Sequence, residues 1–186
     1  MKLLLSWLLV VFAVQFSQAQ FIKQKAIEVK VGNGSSMSTA GKTNVVVNGF
    51  ASEGTFVLKI KSWFELRPYM GFITAKSIGK DFDNNPTPEK TQTKAFYLGG
   101  KARVKAPIRW VAPYLELGRG LSVGSFKNVT LNHNEEVKGL APHAMFSLGL
   151  ALGRNGNVDL SFSTYLLPSA NQIMGGFFIG MAFPIK

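Results

Sequence analysis

After residue 50 the chain alternates apolar and polar residues in short runs, and the connections between the runs switch between tight and long. Tight connections are predicted at residues 65–68, 105–108 and 154–157, and long polar segments at residues 80–93 and 125–139. Apolar residues at every second position predict β-strands with one apolar face. Short turns at one end of a sheet and long loops at the other are typical of β-barrels that cross a membrane.

The composition of the two faces predicts which one points outward. The alternation is clearest in five runs, at residues 54–65, 94–104, 110–123, 140–152 and 157–167. One face of each run carries mainly Leu, Val, Ile and Phe, and the other carries Gly, Ser, Tyr and charged residues. Small and polar residues suit the crowded interior of a narrow barrel, and large apolar residues suit lipid. We therefore predict that the apolar face contacts a membrane.

The whole pattern predicts an even number of strands, which permits the last to pair with the first and leaves no open edge. The predicted fold class is all-β, an eight-stranded antiparallel up-and-down transmembrane β-barrel with short periplasmic turns and longer extracellular loops. Residues 43–47 are predicted to lengthen the first hairpin or to form an extra strand. The predicted strands are residues 25–33, 54–65, 69–79, 94–104, 109–123, 140–152, 157–167 and 172–184.

The first residues predict export. Lys2 precedes an apolar stretch too short for a comfortable membrane span, and Ser17 and Ala19 place small residues where a signal peptidase cleaves. The predicted division is a cleaved signal peptide, residues 1–19, and an outer-membrane barrel domain, residues 20–186. The sequence has no cysteine, which excludes a disulfide framework, and its two histidines leave little for a transition-metal site.

The charge balance favours an anionic neighbour. Lysine and arginine number 21 against 10 acidic residues, a formal net charge of +11. The basic residues are scattered and the chain is predicted to be exported, so we do not expect nucleic acid as the partner. Lipopolysaccharide phosphates and anionic surface polymers fit better. A generally basic exported protein without such a partner is an equal alternative.

Three segments carry a resemblance to a known family. Residues 67–72 and 112–120 each bring a Pro-Tyr step into a strand, with glycine following, and residues 176–183 form a glycine- and aromatic-rich closing strand. They resemble the small outer-membrane β-barrel superfamily that includes outer-membrane protein X and the transmembrane domain of outer-membrane protein A. The resemblance implies insertion into a Gram-negative outer membrane by the barrel-assembly machinery. It also implies a structural or surface-interaction role, such as envelope integrity or adhesion, with loops that contact an extracellular protein or polysaccharide.

Two groups of side chains are predicted to have defined places in such a barrel. Because an eight-stranded barrel is only just wide enough for its own side chains, inward-facing charges predict a salt-bridged core and not a channel. The predicted lumen network consists of Lys59, Lys61, Lys101, Arg103, Glu116 and Asp159, and Glu28, Lys30 and Glu65 are also predicted to face inward. Aromatic residues near the tight turns predict a girdle at the periplasmic interface, made of Trp63, Phe64, Tyr69 and Trp110.

No catalytic, cofactor-binding or metal-binding residue is predicted. His143 and Ser147 share one strand face but stand about 13 Å apart along an extended strand, too far for a hydrogen bond. No Gly-x-Ser-x-Gly turn is present in the sequence. Three alternatives stay open at this point: a periplasmic lipocalin-like binder of an apolar ligand, a lipid-modifying barrel enzyme, and a small pore.

Overall fold

The computed structural model describes residues 24–39, 46–76, 90–130 and 133–185. Each strand pairs antiparallel with the next, and the last pairs with the first, so the sheet is a closed barrel. The eight-stranded fold predicted from the sequence is confirmed. The strands are β1 (Gln24–Ser38), β2 (Val46–Lys59), β3 (Phe64–Lys76), β4 (Lys90–Lys105), β5 (Trp110–Thr130), β6 (His133–Gly153), β7 (Val158–Leu167) and β8 (Gln172–Ile185).

Three tight turns lie at one end of the barrel, together with the start of β1 and the end of β8. They span residues 60–63, 106–109 and 154–157. In the last of them the Gly156 N–H donates to the Gly153 carbonyl at 2.9 Å, and both glycines have positive φ, 64° and 90°. That backbone conformation favours glycine, which explains the sequence at this turn. We call this the short-turn end.

At the opposite end, several strands are longer than predicted. β1 reaches Ser38 and β2 starts at Val46, so the first hairpin is extended. The polar segment 125–139 is not a loop, because β5 and β6 stay paired up to Thr130 and His133. Strands that rise beyond the lipid need no apolar outer face, so the apolar alternation ends before the strand does. The predicted signal peptide, residues 1–19, and the polar residues 80–89 lie outside the described residues.

One predicted turn is wrong. The chain reverses at residues 60–63 and not at 65–68, because Pro68 lies inside β3, opposite Gly100 of β4. Pro68 points outward, and its neighbours on either side, Arg67 and Tyr69, point into the barrel. Proline is an ordinary turn signal, which explains the error. Because of this error, Arg67 was assigned to a turn and Tyr69 to the aromatic girdle, although both face the lumen.

The outward-facing residues form an apolar belt around the barrel, as the composition of the two faces predicts. Large apolar side chains that stay exposed occur on all eight strands. Contiguous apolar surface of this extent is typical of a membrane contact. No helix in the described ranges is long and apolar enough to cross a membrane. Representative members of the belt are Val29, Phe56, Phe72, Leu98, Leu117, Leu148, Phe162 and Ile179.

An arginine placed in this belt should impair assembly. Leu117, on β5, is 56% exposed and Leu148, on β6, is 48% exposed. We expect Leu117→Arg to lower the free energy of unfolding in lipid vesicles by about 2–4 kcal/mol, the cost of arginine near the bilayer midplane, and Leu148→Arg to act in the same direction. The measurement is urea unfolding together with the gel-mobility difference between boiled and unboiled protein. The control is Ser125→Arg, on the same face of β5 but above the belt; equal losses in all three variants would contradict the register.

Candidate functional site

The barrel interior contains a dense network of charges. Lys105, partly buried at the short-turn end, joins it through Glu65, at 2.6 Å between Nζ and Oε1. With Lys105 the network balances, five carboxylates against five basic groups. The nine buried charged residues are Glu28, Lys30, Glu53, Glu65, Arg67, Lys101, Arg103, Glu116 and Asp159.

Glu116 is the centre of this network. Its carboxylate is fully buried and contacts three cationic groups. The distances are 2.7 Å from Arg103 Nε, 3.1 Å from Lys101 Nζ and 3.2 Å from Arg67 Nε. Glu116 of β5 and Arg103 of β4 are direct cross-strand partners, so the sheet register itself brings this pair together.

Asp159, on β7, forms the second centre. Lys30 Nζ lies 2.6 Å from its Oδ1 and Arg103 Nη2 lies 2.8 Å from its Oδ2. The Tyr114 hydroxyl donates to Oδ1 at 2.6 Å. Arg103 therefore contacts both Glu116 and Asp159, and its guanidinium lies 3.5 Å from the centre of the Tyr114 ring. This geometry ties β1, β4, β5 and β7 together across the lumen.

Two buried members of the network, Arg67 and Glu53, were not predicted to face inward. Arg67 contacts the carboxylates of Glu28 and Glu65, the latter at 2.8 Å. Glu53 accepts hydrogen bonds from Lys101 and Tyr165, both at 2.6 Å. Arg67 was placed in a turn, and Glu53 was left outside a strand predicted to begin at residue 54. Both residues could have been predicted by continuing the alternation of inward and outward residues past the predicted ends of the strands.

Two residues of the predicted lumen network lie elsewhere. Lys61 is exposed in the turn 60–63, because β2 ends at Lys59, and its Nζ lies 5.5 Å from the centre of the Trp63 ring. Lys59 is half-buried at the mouth of the barrel, where its Nζ donates to Gln24 Oε1 at 3.1 Å. Lys61 is therefore a surface residue, and Lys59 lies at the border of the network.

The predicted girdle is wrong at Tyr69. Because β3 starts at Phe64, Tyr69 shares the inward face with Glu65 and Arg67, and it is 4% exposed. Trp63 and Trp110 are exposed at the short-turn end. Phe64 is half-buried, with its ring centre 5.7 Å from that of Trp63. The girdle role of these three residues stays a prediction.

An aromatic layer lies next to the charges, on the side away from the tight turns. It consists of Tyr69, Tyr97, Tyr165 and His143, whose ring centres are 4.8 to 6.3 Å apart. His143 Nε2 lies 2.7 Å from the Tyr69 hydroxyl, and Nδ1 lies 2.9 Å from Ser122 Oγ. Both ring nitrogens are thus occupied by neutral groups.

The geometry around His143 does not assemble a catalytic triad. Ser147 contacts Ser163 at 3.0 Å, so the two strand-face residues considered from the sequence have different partners. A triad needs a carboxylate that orients the histidine, and here Tyr69 takes that position. No cluster of three metal-ligating side chains occurs within the ranges that the structure describes.

Apolar side chains fill the lumen beyond the aromatic layer. Ile73, Phe126, Leu167 and Met174 pack there, and Ala170 of the 3₁₀ turn between β7 and β8 joins them. At the short-turn end, a cavity lined by charged residues has a volume of only ≈ 10 Å³. That is about the space for a single water molecule.

Loss of one central carboxylate should be costly. We expect Glu116→Gln, which keeps the side-chain shape, to lower the free energy of unfolding by about 3–5 kcal/mol, because three buried cations lose a charged partner. Urea unfolding in vesicles measures it. The control is Glu136→Gln, which removes a charge from two exposed contacts only, with Lys138 at 3.1 Å and Ser125 at 3.2 Å, and should leave stability unchanged. Equal stability of both variants would refute a network centred on Glu116.

Because the charges of the described interior balance, the interior contributes nothing to the formal net charge of +11. Lys94 of β4, Lys127 of β5 and Lys138 of β6 point outward above the apolar belt. Lys94 and Lys138 both pair in register with Ser125, which places the two lysines on either side of β5. Lys138 also forms a hydrogen bond that lowers the pKa of Glu136. We call Lys94, Lys127 and Lys138 the outer lysine group.

Comparison with known proteins gives the fold a context. No family model and no curated protein matches the chain. The solved structure of Ail, the attachment invasion locus protein of Yersinia pestis, matches with 13% identity and a TM-score of 0.51, over 88% of this chain and 100% of that one. Ail in complex with the heparin analogue sucrose octasulfate matches with 14% identity and a TM-score of 0.50, over 87% and 99%. Neisserial surface protein A matches with 16% identity and a TM-score of 0.53, over 85% and 95%.

These similarities, at such low identity, concern the fold. The chain has the eight-stranded fold of the small outer-membrane barrels, as the Pro-Tyr segments of the sequence suggested. With its apolar belt, it is an integral β-barrel of the bacterial outer membrane. The short-turn end is accordingly the end predicted to be periplasmic, and the opposite end is the one predicted to be extracellular.

Proposed function

We propose that this barrel is a surface-interaction protein whose extracellular end binds an anionic saccharide and whose lumen does not conduct ions. The observation that carries the proposal is the separation of charge. The five carboxylates of the lumen are matched by five basic groups, which leaves the positive excess on the outside. An exposed positive surface attracts anionic partners over about 10 Å at moderate ionic strength.

The shape of the extracellular end supports a binding role. β5 and β6 have 21 residues each, whereas β7 has 10. The last pair between β6 and β7 is Ala144 with Leu166, so residues 133–143 of β6 rise beyond β7. Two of the three outer lysines, Lys127 and Lys138, belong to this projecting hairpin. A paired hairpin that presents lysines offers sulfate or phosphate groups several contacts at once.

The chemistry of one similar protein supports the choice of ligand. Ail has been solved in complex with sucrose octasulfate, a heparin analogue. We transfer to this chain only the ligand class, a polyanionic saccharide, because the outer lysine group provides matching charges. Lipid and lipopolysaccharide contact the apolar belt in this proposal. Insertion by the barrel-assembly machinery stays a prediction.

The alternatives kept open above have less support. A lipocalin-like binder needs an apolar cavity inside, whereas the described interior is occupied by charged, aromatic and closely packed apolar side chains. A lipid-modifying enzyme needs an activated nucleophile, and both nitrogens of His143 contact hydroxyl groups of buried residues. We infer a non-enzymatic protein.

The proposal predicts that sucrose octasulfate binds through the outer lysine group. We expect the triple variant Lys94→Gln, Lys127→Gln, Lys138→Gln to weaken binding at least about tenfold, measured by calorimetry in detergent, since each tenfold is about 1.4 kcal/mol. Wild-type affinity should also fall as salt rises. The matched control removes three periplasmic charges, Lys61→Gln, Arg109→Gln and Arg154→Gln. Equal weakening by both triple variants would mean that only net charge matters and would refute a defined extracellular site.

A second prediction concerns conduction. Ions would have to pass the charge network and the aromatic layer. In the part of the chain that the structure describes, no continuous water-filled channel runs through either. We therefore expect no steady conductance from the purified, folded protein in planar bilayers. Stable, protein-dependent current steps would overturn the closed-lumen part of the proposal and favour the small pore.

A further inference from the structure

Among the described residues, the lipid-facing surface carries one charged residue inside its apolar belt. Arg119, on β5, is exposed on the outer face of the barrel, between Leu117 and Leu121. The apolar outward positions of β5 run from Val111 to Val123. Arg119 therefore lies about two-thirds of the way from the periplasmic to the extracellular border, in the outer leaflet. At about 3.3 Å per residue and a tilt near 40°, the upper border is about 10 Å away.

Arg119 has no charged partner among the described side chains of this surface. Its side chain forms no ion pair with any residue in the part of the chain that the structure describes. The buried carboxylates face the lumen, and Glu136, the nearest outward-facing one along the paired strands, is beyond the belt on the projecting hairpin. An ionisable side chain among lipid tails is unfavourable unless an anionic group or the interface receives it, and for that reason it commonly marks a functional site.

A groove lies beside Arg119 on the same surface. It has a volume of ≈ 800 Å³, within the range of about 300–1,000 Å³ typical of small-molecule sites. The groove is deep beside Arg119 because the outward-facing residues paired with it across the sheet, Gly100 and Ala144, are small. Two residues closer to the short-turn end, leucines such as Leu117 form its sides. Outward-facing residues that line the groove include Pro68, Gly100, Ala102, Leu117, Arg119 and Ala144.

We propose that this groove binds the acyl chain of a phosphorylated outer-leaflet lipid of the lipid A type, with the lipid phosphate on Arg119. Charge complementarity selects this occupant. A guanidinium binds phosphate well, and its long side chain can extend from the groove towards the headgroups. Basic pockets at the membrane surface of other proteins bind anionic headgroups in the same manner.

A second copy of the chain fits this surface less well. An interface built on this groove would cover Arg119 with another apolar belt, on which no carboxylate occurs among the described side chains. The buried guanidinium would then lack a counter-charge, which is strongly unfavourable. An anionic lipid supplies both the apolar chain and the counter-charge.

Two substitutions separate the charge from the groove. Arg119→Gln removes the cation and keeps a polar side chain of similar length. Gly100→Leu fills the floor of the groove and leaves Arg119 in place. A Cβ at Gly100 meets no atom within 4 Å, so a side chain can begin there without a clash with the backbone. Ala144→Leu is a second groove-filling variant in case Gly100→Leu does not fold, and Arg109→Gln, in a periplasmic turn, is the charge-matched control.

The test is native mass spectrometry of the folded protein after incubation with diphosphoryl lipid A, with phosphatidylcholine as the neutral probe. We expect wild type and Arg109→Gln to retain one lipid A, and Arg119→Gln and the groove-filling variant each to lose retention at least fivefold. Unchanged retention in either test variant, or equal retention of phosphatidylcholine, would overturn the inference. An Arg119-dependent dimer in place of a lipid adduct would overturn it as well.

This inference does not rest on saccharide binding. Arg119→Gln should leave the affinity for sucrose octasulfate unchanged, because Arg119 is inside the belt and the outer lysine group is above it. Failure of one proposal can therefore be told from failure of the other.

Discussion

The contact between Glu116 and its three cations shows the constraint on which the rest of the barrel depends. Eight strands enclose a space only wide enough for side chains, so any charge placed there loses its water. The barrel tolerates five carboxylates only because five basic groups reach them from other strands. Arg103 contacts both carboxylate centres and so links opposite walls. The same balance leaves the positive excess outside, where the proposed saccharide and lipid sites lie.

The barrel architecture was predictable because it rests on a simple period. Residues on one face of a strand recur at every second position, and lipid and lumen select opposite compositions for the two faces. The strand number and the outward direction of the apolar face follow from that alternation. The ends of the strands could not be predicted in this way, because above the belt the outer face is polar and apolar residues such as Phe126 lie in the lumen, so the contrast between the faces is no longer the same. Residues 125–139 therefore resembled a loop, although most of them continue β5 and β6.

The site residues were predictable wherever the strand boundary was right. Lys101, Arg103, Glu116 and Asp159 lie within both the predicted and the observed strands, and their inward direction came directly from the alternation. Around residue 65 a proline was taken for a turn, which placed Tyr69 in the girdle and Arg67 out of the lumen. Which carboxylate meets which cation depends on the register between strands, and a single sequence does not contain that information. The groove beside Arg119 likewise appears only once its neighbours on β4 and β6 are known.

The sharing of Arg103 between Glu116 and Asp159 has a consequence for how this sequence can change over time. Residues that share one buried partner do not contribute independently, so the effects of their substitutions do not add. A loss at Glu116 leaves a surplus of positive charge that a loss at Lys101 would partly relieve. We expect homologous barrels to exchange such residues in compensating sets, with the lumen staying neutral while its individual members vary. The trace of the network in an alignment would then be correlated substitution across β4, β5 and β7 rather than invariance at any one position.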